Sequence, residues 1–374
     1  MSFYFPRKDL AEKIAARLSP DPILGTPAGL FLAAPRRTGK STFLRRDLVP
    51  ELETRGHFTI YIDLWADKSR DPAQSIAEAL VQAIESLASR GERILDALPF
   101  RSVSIGGVSV ALKAEEGATA TLPDLLREIS DRAKRDIILI IDEAQDALNT
   151  DSGSDAMFAL KAARDALNQR DEAPGLYLVF TGSNRDKLSD LVNKSDQAFY
   201  GGTVTDFPPL GRPYVEALVT ALNPRLAAGN RLDTDDVEAA FTLVGNRPEL
   251  LQTVIRDHAL DLGELTAPDL RKTVTERADA LKALRWADHK ALYDALTETQ
   301  QLVLRSIAET GGAFSPYAEA TQDGFAKALG RPVTPSEIQK ALGALRGLGV
   351  IWHRARGLYA IEDRDMREWL LTAL

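Results

Sequence analysis

Asp136-Ile-Ile-Leu-Ile-Ile-Asp142 sets five consecutive large apolar residues, Ile137 to Ile141, between two carboxylates. A strand wet on one face alternates apolar and polar side chains, so a run without alternation needs cover on both faces, the condition of an inner parallel strand. Parallel neighbours in turn need long crossover connections, usually helices. The chain repeats the same arrangement elsewhere. Gly29 to Ala34 reads GLFLAA, Phe58 to Trp65 reads FTIYIDLW and Leu176 to Ser183 reads LYLVFTGS; helical patterns follow, such as Ile76, Leu80, Ala83, Ile84 and Leu87. Four strands with intervening helices predict an α/β domain with a doubly wound parallel sheet. Val103 to Ala114, VSIGGVSVALKA, has apolar residues at every second position around Gly106-Gly107, which predicts an inserted hairpin projecting from that sheet.

Beyond Phe207-Pro208-Pro209 the pattern is purely helical, over Val215 to Leu222, Thr234 to Val244, Pro248 to Leu262 and Ala267 to Trp286. This predicts an all-helical second domain. Further helices are expected at Thr297 to Glu309, Gln322 to Leu329 and Thr334 to Leu348, then VIWHR, an ARG turn, GLYAIED, and a terminal helix from Asp365 to Leu371. Three helices and a hairpin are the plan of a winged helix. The expected domains are therefore 1–205, 206–286 and 287–374, in keeping with 374 residues when single cores stop growing near about 250.

Composition removes several kinds of chemistry. The chain has no cysteine, so thiolate nucleophiles, disulfides and thiolate metal sites are excluded, and its four histidines, His57, His258, His289 and His353, lack metal-ligand spacing. With 46 basic against 54 acidic residues and a net charge of −8, any nucleic-acid contact must be a local patch. No apolar run approaches the ~20 residues that span a bilayer, and the N-terminus reads as an amphipathic helix and not a signal peptide. A cytoplasmic protein without membrane contact is expected.

Phosphate binding needs backbone N–H groups that close around oxygens, a cation and a hydroxyl for Mg²⁺. Ala34-Pro35-Arg36-Arg37-Thr38-Gly39-Lys40-Ser41 supplies them at a strand-to-helix junction, with Thr42 next. Lys40 is the candidate phosphate cation and Ser41 the candidate Mg²⁺ ligand. Ala34 stands where the usual motif begins with glycine, and a basic turn opening an amphipathic helix also describes the segment. The apolar strand, however, ends in Asp142-Glu143-Ala144-Gln145, where carboxyl ends of parallel strands open onto a ligand crevice. Asp142 is the candidate to hold Mg²⁺, and Glu143 the candidate to orient and deprotonate the water that attacks the γ-phosphorus of ATP. Thr181-Gly182-Ser183-Asn184-Arg185 ends the next strand; Ser183 or Asn184 could bond the γ-phosphate or that water, and a plain turn is the alternative.

APRRTGKST, IILIIDEAQ and VFTGSN, in this order and spacing, resemble the archaeal-type P-loop ATPases, an AAA+- and STAND-related family near the origin-recognition ATPases. The resemblance implies an AAA+-like P-loop core, a helical lid and a C-terminal winged helix, with ATP and Mg²⁺ as cofactors. FPRKDLAEKI resembles the family's Phe-x-x-Arg box, which implies that Arg7 lies near the base. Phe199-Tyr200-Gly201-Gly202 resembles its Tyr-Gly-Arg segment, with Gly202 in the arginine's place. Val244-Gly245-Asn246-Arg247-Pro248 resembles the lid's Gly-x-Pro motif, which implies phosphate sensing by Arg247; a helix N-terminus with proline in its first turn explains Pro248 equally well.

Arg331 to Arg356 carries Arg331, Lys340, Arg346, Arg354 and Arg356 against Glu337 alone. Such a helix and wing suit duplex DNA phosphates, and winged helices also dock proteins. Two functions therefore stand: an ATP-hydrolysing switch acting on DNA or a protein effector, and a nucleotide-regulated DNA-binding protein with slow or no turnover. A homo-oligomer could supply an arginine to the site, with Arg185 and Arg212 as candidates.

Overall fold

The computed structural model describes residues 3–18, 29–67, 69–88, 95, 98–112, 117–170, 173–183, 185–226, 231–259, 270–310, 314–355 and 358–372. Contacts divide the chain into two units. One is Pro6–Ala34 with Ser41–Phe207, and the other is Met1–Phe5 with Pro35–Lys40 and Pro208–Leu374.

The first unit runs through α1 (Lys8–Leu18), β1 (Leu30–Ala33), α2 (Lys40–Phe43), a π-helical turn (Leu44–Leu48), α3 (Val49–Thr54), β2 (Phe58–Asp63) and α4 (Pro72–Ser86). It continues with β3 (Ser102–Ile105), β4 (Val108–Ala111), β5 (Thr119–Thr121), α5 (Leu122–Ala133), β6 (Ile137–Asp142), a 3₁₀ turn (Ala144–Asn149), α6 (Asp151–Asn168), β7 (Leu176–Gly182), α7 (Arg185–Asn193) and β8 (Val204–Asp206). The main sheet has the order β2-β6-β7-β1-β8, and every pairing in it is parallel. β6 is buried along its whole length, as the unbroken apolar run requires. Its alternate residues enter two cores, Ile137, Leu139 and Ile141 on one face and Ile138 and Ile140 on the other. Each such side chain contributes about 1.5–3 kcal/mol of burial. The π turn ends two residues before Pro50, whose missing N–H interrupts the regular bonding ladder of the helical run.

Two expectations are corrected. The sheet has a fifth strand, β8, three residues without an apolar run and hence without a sequence signal. The hairpin around Gly106-Gly107 exists as β3 and β4, but it does not project: β5 joins β3 in parallel to make a separate three-stranded sheet, and Val103 and Ile105 are buried in the main core.

The second unit holds α8 (Arg212–Leu222), α9 (Thr234–Leu243), α10 (Pro248–Ala259), α11 (Leu270–Asp294), α12 (Glu298–Thr310), α13 (Glu319–Leu329), α14 (Pro335–Gly347), the antiparallel pair β9 (Ile351–Ala355) and β10 (Leu358–Ile361), and α15 (Arg364–Thr372). Its apolar residues form two clusters. Tyr214, Leu218, Phe241, Leu251 and Val274 belong to one; Val303, Ile307, Ile338, Leu345 and Trp369 belong to the other. α11 serves both, with Ala278 in the first and Trp286 packed on the second. It runs on past Trp286, where a helix end was expected, because its apolar stripe continues onto the second cluster. Residues 260–269 lie outside the described residues, and with them the expected end of the Pro248 helix and the beginning of the next.

Candidate functional site

In the first unit the site grows from the carboxyl end of β6. Asp142 is fully buried, and four donors converge on it. Oδ2 accepts hydrogen bonds from Ser41 Oγ at 2.6 Å and from the Tyr61 hydroxyl at 2.8 Å. Oδ1 accepts from the Glu143 amide at 3.1 Å and from the Thr181 hydroxyl. A buried carboxylate needs such a set of partners, because desolvation without them costs several kcal/mol. Parallel pairing places Tyr61 on one side of Asp142 and Thr181 on the other, from β2 and β7. Burial, then the Asp142 charge, pushes the Tyr61 hydroxyl far above its ordinary value, so it acts as a donor. The Arg45 guanidinium lies 4.6 Å from the Tyr61 ring centre and donates to Asp63 at 3.2 Å.

Glu143 follows in the left-handed region, at φ 56°, which turns its side chain back towards the end of β7. Its Oε2 accepts from the Ser183 amide at 3.0 Å, the Ser183 hydroxyl at 2.6 Å and Gln145 Nε2 at 2.6 Å. Gly182 makes room for this: a Cβ there would run into Gln145 Oε1.

The loop between β1 and α2 belongs by its contacts to the second unit up to Lys40. Arg37 has φ 67° and Gly39 φ 86°, the positive-φ turns that bring successive N–H groups to one side. Thr38 Oγ1 closes the turn on the Pro35 carbonyl at 2.8 Å. Lys40 is buried, with 5% of its surface exposed, and begins α2. Arg36 and Arg37 are exposed, and Arg37 pairs with Glu249 at 3.4 Å. Thr42 is exposed in α2.

Other residues singled out from sequence have these positions. The Arg7 guanidinium lies 4.8 Å from the Phe207 ring centre and 5.9 Å from that of Phe43, and burial lowers its pKa. Pro248 opens α10, and Arg247 Nη2 donates to Asp363 Oδ2 at 3.0 Å. Gly202 is tightly packed, with Val192 Cγ1 2.9 Å from where a Cβ would stand, so no arginine fits there without movement. Arg185 pairs with Asp206, and Arg212 is held by Glu216, Asp235 and Glu238. Lys340 is exposed and Arg346 half-buried on α14. Asn184 and Arg356 lie outside the described residues, as does the Arg354 side chain. Tyr61, Thr181 and Gln145 were not anticipated. Only Gln145 had a sequence signal, as a polar residue two positions after Glu143.

Residues 25–188 match the family model described as an AAA domain. Pro35–Ser41, Asp142 and Glu143 all lie within the matched segment. Among solved structures, a Walker-type ATPase of Pyrococcus abyssi is 19% identical, with a TM-score of 0.57 over 98% of this chain and 95% of that one. The ORC2 protein of Aeropyrum pernix in its ADP form is 16% identical, with a TM-score of 0.54 over 97% and 91%. These likenesses are of fold, and they extend beyond residues 25–188 into the helical C-terminal region. No curated protein matches the sequence. Among the described residues no helix is long and apolar enough to cross a membrane.

Proposed function

We propose that this protein is an Mg²⁺-dependent, ATP-hydrolysing switch of the AAA+ and STAND type. In this reading residues 206–286 act as its lid, and 287–374, a winged helix, engage duplex DNA or a protein effector. The observation that carries the reading is the meeting of Ser41 and Asp142 at 2.6 Å, with Glu143 following on the same strand end. Two hard oxygen ligands suit Mg²⁺, which keeps several waters and takes one or two carboxylates. Bound there, the ion would neutralise charge on the β- and γ-phosphates. Lys40 and the amides of Pro35–Thr42, Pro35 itself excepted, hold the phosphates, and Ser183 or Asn184 orients the γ-phosphate or the attacking water. Glu143 accepts that water's proton. Catalysis is then positional and electrostatic.

A second reading, nucleotide-regulated DNA binding with slow or no turnover, is favoured by one feature. Glu143 Oε2 already accepts three hydrogen bonds, so the carboxylate must give up protein partners before that oxygen can take a water's proton. Arg185 and Arg212, the candidates for an arginine supplied by a neighbouring subunit, pair with carboxylates of their own chain and would have to leave them to reach a phosphate.

Steady-state ATP hydrolysis, with and without duplex DNA, separates these readings. Lys40→Ala is expected to abolish nucleotide binding, and Glu143→Gln to keep binding while losing turnover by about 10²-fold or more. Tight binding without turnover in the parent under every condition would leave the second reading and sink the first. If DNA is the partner, neutralising Lys340 and Arg346 weakens binding and flattens its salt dependence.

A further inference from the structure

Within the second unit Arg247 is held by the far end of the chain. Its Nη2 donates to Asp363 Oδ2 at 3.0 Å, and Arg285 Nη2 of α11 donates to the same oxygen at 3.3 Å. Arg285 also pairs with Asp365, while Asp363 Oδ1 accepts the Asp365 amide at 2.9 Å and so caps the first turn of α15. Arg247 and Arg285 are only 17% and 16% exposed. A cavity of about 400 Å³ opens beside them, lined by Arg36 and Arg37 of the P-loop together with Arg247, Arg285 and Asp363. Four guanidinium groups thus surround a space in which Asp363 is the carboxylate. Burial works to raise the Asp363 carboxyl, yet the charges of Arg247 and Arg285 and the bonds from Arg247 and the Asp365 amide hold it below its ordinary value. Asp365 is pushed up by burial and then by the Asp363 charge, so these two carboxylates depend on the arginines between them.

We propose that Asp363 is a positioning residue for Arg247. The γ-phosphate of ATP and the Asp363 carboxylate compete for this guanidinium, which ties the occupant of the P-loop to the seating of α15. The proposal rests on the ATP reading above. A guanidinium presents a rigid fork of donors suited to a phosphate in two-point contact, whereas Arg247 reaches Asp363 through one nitrogen. ADP lacks the third phosphate and leaves the Arg247–Asp363 pair intact. ATP draws Arg247 away, and Asp363 and Asp365 are then left facing each other with Arg285 alone between them at the start of α15. Because such coupling is reciprocal, anything that displaces α15 in turn raises the affinity for ATP.

The test is competition binding of β,γ-imido ATP and ADP to the full chain, in the parent, Asp363→Asn, Arg247→Gln, the double variant and Lys40→Ala, with hydrogen exchange of α15 alongside. Asp363→Asn is expected to tighten the ATP analogue by about fivefold or more relative to ADP. Arg247→Gln should weaken the analogue selectively, and Asp363→Asn should add nothing in that background, while a further variant, Asp363→Glu with Arg247 intact, should keep the parent ratio. Residues 364–372 should exchange faster with the ATP analogue than with ADP in the parent, and equally in Arg247→Gln. Equal shifts for both nucleotides in Asp363→Asn, or the same shift without Arg247, overturn the proposal while leaving the ATP reading intact. A parent that binds neither nucleotide, or binds both unchanged by Lys40→Ala, overturns the ATP reading and the proposal with it.

Discussion

At the scale of single residues, Asp142 joins the demands of folding to those of chemistry. A carboxylate fully buried at the end of an apolar strand is tolerable because Ser41, Tyr61, Thr181 and the Glu143 amide all donate to it. Asp142, Glu143 and Ser183 could be picked out from sequence because each stands at the end of an apolar run. Tyr61 and Thr181 could not, since they reach Asp142 only through the pairing of β2 and β7 with β6. Gly182 is the sharpest test of this packing. A methyl group there meets Gln145, which also bonds Glu143, so Gly182→Ala is expected to destabilise the protein by about 1–3 kcal/mol in urea unfolding. It should also displace Glu143 and lower ATP turnover more than ATP affinity, and equal losses of both would count against this role for Gln145.

Among the elements, the small sheet of β3, β4 and β5 departs most from the sequence expectation. Alternation around Gly106-Gly107 specifies a hairpin, but the place where a hairpin packs is set by the surface it meets. Here Val103 and Ile105 enter the main core, and β5, only three residues long, completes the sheet. The two turn glycines separate strain from contact. Gly106 has φ 55° and abuts the Ser152 carbonyl, whereas Gly107 has φ 80° and nothing within 4 Å of where a Cβ would stand. Gly107→Ala should cost about 1 kcal/mol of conformational strain. Gly106→Ala adds a backbone clash and should cost at least about twice that, as measured by urea unfolding, and equal costs would argue that the contact with Ser152 is readily relaxed. α11 carries the same lesson, because its continuation to Asp294 follows from two apolar clusters sharing one helix.

For the whole molecule, the C-terminal helices have an acid sensitivity of their own. Arg331, then the Thr299 hydroxyl, hold the Glu337 carboxyl at about 2, below its ordinary 4.5. A depressed carboxyl contributes its stability fully above its unfolded value and loses it as pH falls through the folded one. The thermal midpoints of the parent and Glu337→Gln should therefore differ by a constant amount near neutral pH and converge between about 4.5 and about 2. Tryptophan fluorescence is suited to following this, since Trp286, Trp352 and Trp369 all belong to the second unit. A gap that stays constant down to pH 2 would show that the pairing with Arg331 does not set this dependence.

Local pattern was enough to determine a parallel α/β core, the strand-to-helix junction at Pro35–Ser41, the acidic strand end at Asp142 and Glu143, and the helices and closing hairpin described beyond Phe207. Each of these is a matter of periodicity or of adjacent residues, which a linear chain displays directly. Tertiary structure alone decided the fifth strand, the donors that complete Asp142, the three bonds that hold Glu143, and the pairing of Arg247 with Asp363 across 116 positions of sequence. Those contacts arise from register and packing between distant elements, and charge and period at either partner carry no record of the other.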